Sequence, residues 1–176
     1  MNFVPLLTGV LMAVGIGGGT FVEPNSPIKH RDYISGGIGY FDVFENNEQD
    51  SSADLRLEYT WARSLYSAGI VSVHPFVGVE ATTDGSFYGL GGIKAEVKWN
   101  QMYMTPSFGV GAYYSGDGKN MGSPLQFRTG VEVGYEFDRN GDRVGVQLTH
   151  ISNADVAETN PGAEIVTLYY HYPVKW

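Results

Sequence analysis

Apolar and polar side chains alternate along most of the chain with a period of two, the signature of strands with chemically different faces. From Leu125 to Phe137 one parity reads Leu125, Phe127, Thr129, Val131, Val133, Tyr135, Phe137. The other reads Gln126, Arg128, Gly130, Glu132, Gly134, Glu136. In the same way Leu55, Leu57, Tyr59 and Trp61 oppose Asp54, Arg56, Glu58 and Thr60, and Ile93, Ala95, Val97 and Trp99 oppose Lys94, Glu96 and Lys98. Val71, Val73, Val77 and Val79 oppose His74, Gly78 and Glu80; Met102, Met104, Phe108, Val110 and Tyr114 oppose Tyr103, Ser107, Gly109 and Gly111. The pattern predicts strands near 33–44, 53–62, 70–82, 86–98, 101–115, 124–137, 142–153 and 163–176, the first blurred by Gly36, Gly37 and Gly39. Turn residues separate them: Asn46-Asn47, Asp84-Gly85, Asn100, Gly116-Asp117-Gly118, Asn140-Gly141 and Asn160-Pro161-Gly162. Eight strands of this length joined by hairpin turns predict an all-β fold, an eight-stranded antiparallel up-and-down barrel.

The first residues follow a different pattern. Phe3 to Ile16 is apolar apart from Thr8 and glycine, and is shorter than the roughly 18–20 residues a membrane-spanning helix needs. It fits the apolar region of an export signal, although no Lys or Arg precedes Lys29 and only the small residues Gly15 to Thr20 offer a cleavage point. The expectation is a signal peptide over 1–22 and a barrel domain over 30–176; the alternative is a buried first strand or short helix.

Alternation does not say which face is inside. A soluble barrel turns its apolar face inward, and an outer-membrane barrel turns it toward lipid. Composition favours the second. Charged residues are 17% of the chain, against about 25% in soluble domains, while Gly numbers 24 and Tyr 12. The polar parity mixes single charges of both signs with glycine, as a narrow filled lumen requires. Trp61, Trp99, Tyr114, Tyr135 and Phe137 sit at strand ends on the apolar parity, as an interfacial girdle would. Counting back in twos from the terminal Trp176 gives Val174, Tyr172, Tyr170, Leu168 and Val166, like the C-terminal signal of bacterial outer-membrane proteins. An even strand number puts both ends in the periplasm, and the connections near 45–52, 83–85, 116–123 and 154–162 outside. The net charge of −8, without a basic cluster, argues against a nucleic-acid partner. The absence of cysteine excludes thiol nucleophiles and disulfide scaffolds.

Three polar residues break the apolar parity. The seventh strand reads Val144, Val146, Leu148, His150, Ser152; the eighth, backward from Trp176, reaches Leu168, Val166 and then Glu164. The two strands are hairpin neighbours, so His150, Ser152 and Glu164 share one outward patch at the outer end. A polar group facing hydrocarbon without a partner costs roughly 2–7 kcal/mol. Serine, imidazole and carboxylate are the parts of a serine hydrolase. The alternative is strand ends emerging into water, where polar side chains cost nothing. His74 and His171 fall on the lumen parity as hydrogen-bonded interior residues, and His30 precedes the barrel. Four histidines with no ligand spacing predict no metal site, and no cofactor motif is present; Gly17-Gly18-Gly19 follows no strand, and Glu158 is a loop carboxylate.

His150-Ile151-Ser152-Asn153-Ala154 followed by Asn160-Pro161-Gly162-Ala163-Glu164 resembles the C-terminal signature of the outer-membrane lipid A 3-O-deacylases. That resemblance implies Ser152 as nucleophile, His150 as base and Glu164, twelve residues after the serine, as the third member of the triad. It also implies Asn160, eight after the serine, in the oxyanion hole, with Asn153 as a lesser substrate-orienting candidate. Leu148 and Val166 would line an acyl groove. Position 155, glycine in some members, is Asp155 here. The implied function is a serine esterase of the outer membrane, active at the outer leaflet. It would cleave an ester-linked acyl chain of lipid A within lipopolysaccharide and release a 3-hydroxy fatty acid, without metal or cofactor. Outer-membrane lipids and a second copy of the chain, as a homodimer, are the other partners considered. Two other readings stand beside it: a small non-catalytic structural or lipid-binding barrel, and a membrane enzyme of different chemistry such as an acyltransferase.

Overall fold

The computed structural model describes residues 31–44, 52–137 and 139–174. The expected signal peptide, the Asn46-Asn47 turn and Trp176 lie outside these residues. In chain order the strands are β1 (Asp32–Phe41), β2 (Ser52–Thr60), β3 (Tyr66–Ala68), β4 (Val71–Thr82), β5 (Phe87–Trp99), β6 (Met102–Tyr114), β7 (Leu125–Glu136), β8 (Arg143–Ser152) and β9 (Ala163–Val174). The eight long strands lie within three residues of the expected boundaries. Pairing runs β2-β1-β9-β8-β7-β6-β5-β4, and β4 closes on β2. Every long ladder is antiparallel. The result is the closed barrel that the periodicity predicts.

β3 was not expected; its residues fall between the expected strands 53–62 and 70–82. The reason is a length mismatch. β2 ends at Thr60, opposite Phe76, so the first residues of β4 have no partner from β2. The chain doubles back through Gly69 (φ 56°), and Tyr66–Ala68 pairs with Val71–Val73. The backbone groups that β2 leaves unpaired are thereby satisfied.

The apolar parity faces out. Leu55, Leu57, Val133, Val146, Leu168 and Tyr172 are exposed, as are the girdle residues Trp61, Trp99, Tyr114, Tyr135 and Phe137. The charged parity faces in and pairs across the lumen. Lys94 Nζ lies 2.5 Å from Glu58 Oε2, and Arg128 binds the other oxygen of Glu58. Arg56 pairs with Asp54 (2.6 Å) and Glu80 (3.1 Å). Arg143 pairs with Glu96 and with Glu136 (2.7 Å), and Lys98 also reaches Glu136 (2.7 Å). His74 and His171 are interior and hydrogen-bonded, as expected: His74 Nε2 is 2.9 Å from Ser72 Oγ, and His171 Nε2 is 2.7 Å from Glu132 Oε1. Glycine on β1 makes room for this network. A Cβ on Gly37 would lie 2.9 Å from the Tyr169 ring, whose hydroxyl donates to Glu58 (3.1 Å).

The lumen is not polar throughout. Toward the end away from the termini, Phe41, Phe76, Tyr88, Leu90, Tyr113, Met121, Ile151, Ala163 and Ile165 form a buried apolar cluster. Met121 belongs to the connection 115–124, which folds back over the mouth, where Lys119 pairs with Asp42 at 2.5 Å. Ile151, Ala163 and Ile165 come from the ends of β8 and β9. The hairpin carrying the polar exceptions is therefore fixed to the barrel by packing on its inner face.

Candidate active site at the β8–β9 rim

On β8, Thr149 and Ile151 point inward and are fully buried or nearly so, as is Asn153 just after the strand, while His150 and Ser152 take the outward parity with Leu148 and Val146. The β8–β9 register sets His150 directly opposite Glu164, and Leu148 opposite Val166 one step further down the same face. His150 Nδ1 and Glu164 Oε1 are 3.1 Å apart. Their side chains retain 36% and 30% of their exposure, so the pair opens outward and is not sealed in the core. With Nδ1 donating to the carboxylate, the free lone pair of the imidazole lies on Nε2. Ser152 is half-buried and follows His150 by two positions on the same strand face. Among the described residues its hydroxyl makes no hydrogen bond, so the structure joins His150 to Glu164 and leaves the serine beside them, unbonded.

The two asparagines are both engaged. Asn153 is fully buried, and its Nδ2 donates to the carbonyls of Met121 (3.0 Å) and Thr159 (2.7 Å). Both of its donor hydrogens are bonded to loop carbonyls, which ties the connections 115–124 and 153–162 together. Asn160 Oδ1 accepts the backbone N–H of Asn153 at 3.0 Å, which holds the chain just after Ser152. Asn160 Nδ2 donates to Asp155 Oδ1 at 2.9 Å. Asp155 itself has φ 61°, a left-handed backbone conformation that favours glycine. Leu148 and Val166 are exposed on the outer face, directly below the His150–Glu164 pair.

Sequence reading missed Gly162 as part of the site. Continuing the β8–β9 register past Ile151 and Ala163 brings Gly162 opposite Ser152. Its φ is 68°, and a Cβ there would stand 3.1 Å from His150 Cε1. The Asn-Pro-Gly turn signal was visible, but the contact with the imidazole needed the register. Gly162→Ala is expected to strain the turn and push the His150 ring, lowering turnover at least about tenfold with little loss of folded protein. Steady-state kinetics beside a heat-modifiability gel checks this; unchanged turnover would mean that the ring tolerates the contact.

Among the described residues no cluster of His, Asp and Glu could hold a metal ion. A family model described as Lipid A 3-O-deacylase (PagL) matches residues 35–173. A lipid A deacylase PagL of Pseudomonas aeruginosa is 36% identical over 75 residues, covering 41% of this chain and 42% of that protein. The lipid A deacylase PagL of Bordetella bronchiseptica is 31% identical over 124 residues, covering 70% of this chain and 62% of that protein. The chain thus matches less than two thirds of the length of either relative. A crystal structure of the outer membrane enzyme PagL superposes with a TM-score of 0.60 at 24% identity, covering 81% of this chain and 99% of that one. A designed transmembrane β-barrel superposes with a TM-score of 0.56 at 13% identity, covering 85% of this chain and 100% of that one. These two likenesses carry the barrel fold. The family match runs from β1 into β9 and takes in both halves of the His150–Glu164 hairpin: the chain belongs to the lipid A 3-O-deacylase (PagL) family.

Proposed function

We propose that the protein is an outer-membrane esterase that removes the acyl chain ester-linked to the 3-position of lipid A, with Ser152, His150 and Glu164 as its catalytic triad. The observation that carries the reading is the 3.1 Å bond between His150 and Glu164 on the lipid-facing side of a membrane barrel, with Ser152 next on that face. A soluble hydrolase has no reason to turn its base toward hydrocarbon. An enzyme whose scissile bond lies between acyl chains and sugar does.

In this mechanism Ser152 Oγ attacks the ester carbonyl as His150 Nε2 takes its proton. Glu164 accepts from Nδ1, fixes the tautomer and stabilises the imidazolium. The proton passes to the departing sugar oxygen, leaving the acyl group on Ser152. Water, activated by the same imidazole, then releases the fatty acid. Leu148 and Val166 sit where the acyl methylenes would rest. The residues that do this work need no metal or cofactor.

Asn160 is the oxyanion donor in this reading, and Asp155 competes for it through the 2.9 Å bond to Nδ2. Asn160→Ala is expected to lower turnover roughly 10²–10³-fold. Asp155→Gly is expected to raise it severalfold, because the carboxylate is removed and glycine suits φ 61°. Turnover measured on both variants checks the assignment; an Asn160→Ala enzyme at full rate would reduce Asn160 to a loop tie. The activity itself is tested by mass spectrometry of lipid A from cells with and without the protein. Loss of one 3-hydroxyacyl chain is expected. An unchanged spectrum would leave the non-catalytic barrel.

A further inference from the structure

The outward row of β7 reads Leu125, Phe127, Thr129, Val131, Val133, Tyr135, and Thr129 is its only non-aromatic polar member. The register sets Thr129 directly opposite His150, on the side of the imidazole away from Glu164. Phe127 stands opposite Ser152, and Val131 opposite Leu148. Phe127 also stacks on Phe108 of β6, with ring centroids 6.3 Å apart. The Thr129 hydroxyl is half-buried and makes no hydrogen bond among the described residues. Inner-face hydroxyls are mixed: Ser35 binds His171 at 2.7 Å and Thr149 binds Gln147 at 3.0 Å, while Ser52, Ser67 and Thr167 have no partner among the described residues, so what distinguishes Thr129 is its place in an outward apolar row beside His150. An unpartnered hydroxyl set in an apolar row, one strand from the nucleophile, is a position where a substrate polar atom would be matched.

We infer that Thr129 is a substrate-recognition residue whose hydroxyl binds the β-hydroxyl of the acyl chain being released. The inference rests on the esterase reading above. Thr129 is the diagonal neighbour of Ser152, and diagonal cross-strand positions lie about 7–8 Å apart. That is too far for a donor to the oxyanion on the carbon bonded to Ser152 Oγ. It suits a substituent two carbons further along the chain. Apart from His150, which the mechanism engages with Glu164 and the nucleophile, the side chains around Thr129 (Phe127, Phe108, Val131, Leu148) are apolar, so they accept methylenes and leave Thr129 as the further polar contact. The sugar, at the boundary with water, would lie above them against the connections at the rim.

The test uses the full-length protein in detergent and two glucosamine 3-O-esters of equal chain length, one with and one without the β-hydroxyl. The wild type is expected to favour the hydroxylated ester in kcat/KM by roughly three- to tenfold, the range of one neutral hydrogen bond. Thr129→Val keeps the shape, the strand propensity and the compatibility with lipid. It is expected to bring the ratio to about one by slowing only the hydroxylated ester, and Thr129→Ser to restore most of the preference. A Thr129→Val enzyme that keeps the wild-type ratio overturns the inference, as does one that slows both esters alike, which would make Thr129 a support for His150. A wild type without preference overturns it too. Ser152→Ala is run alongside: hydrolysis by that variant would fail the esterase reading itself, independently of the ratio.

Discussion

Ser152→Ala is expected to fold as the wild type does and to lose ester hydrolysis by a factor of roughly 10⁴ or more. The hydroxyl sits at the rim without a hydrogen bond among the described residues, so its removal costs the barrel little. No other serine lies on that face of β8. The informative control is inside the barrel. Ser35, His171 and Glu132 form a second Ser-His-Glu arrangement, with His171 Nδ1 2.7 Å from Ser35 Oγ and Nε2 2.7 Å from Glu132 Oε1. Its bonds are shorter than the His150–Glu164 bond, yet Ser35 is fully buried and an ester could not reach it. Ser35→Ala should therefore keep full deacylase activity. Fatty-acid release from purified lipid A in detergent separates the two. Activity that survives in Ser152→Ala and disappears in Ser35→Ala would move the chemistry into the lumen and overturn the rim site.

Glu58→Gln is expected to destabilise the barrel by about 3–5 kcal/mol. Glu58 is buried and carries three partners: Lys94 at 2.5 Å, Arg128, and the Tyr169 hydroxyl at 3.1 Å. Neutralising it leaves two buried cations without their shared carboxylate, and among the described residues Arg128 keeps one ion pair, to Glu80 at 3.5 Å. Removing a cation as well, with Lys94→Met in the same chain, should recover part of the loss, because deleting a buried pair costs far less than breaking one. Urea unfolding followed by gel mobility measures both variants. The folded fraction should hydrolyse lipid A at the wild-type rate, since the network lies on the inner face of the barrel and His150 on the outer one, although Arg128 stands opposite Ile151 at the same level. An unfolding midpoint equal to that of the wild type would show that the lumen is wet enough to solvate the charges.

The barrel was legible because its information is local and repeats. Each strand states its two faces in its own residues, and Leu125–Glu136 does so without reference to the rest of the chain. Turn residues then set the strand count. The face assignment also came from the chain, through single charges and glycines on one parity and rim aromatics on the other. The candidate site was visible too, as His150, Ser152 and Glu164 on the wrong parity, because a polar residue facing lipid is conspicuous; the structure bonds His150 to Glu164 and leaves Ser152 beside them. What stayed hidden depends on register and on distant segments. β3 exists because β2 stops short of the end of β4, a mismatch that appears only once the strands are paired. The inward apolar cluster of Phe41, Phe76, Tyr113 and Ile151 joins strands far apart in sequence, and no alternation within one strand distinguishes it from a polar lumen. Asn160 looked like a free donor until Asp155, five positions before it, was found holding its amide. Asn153 was spent on the carbonyl of Met121 in a separate connection. Gly162 and Thr129 became neighbours of Ser152 and His150 only when β7, β8 and β9 were aligned. Periodicity specifies which way a side chain points; which side chain it meets is decided by how far each strand slides against the next, and closure of the whole barrel sets that offset.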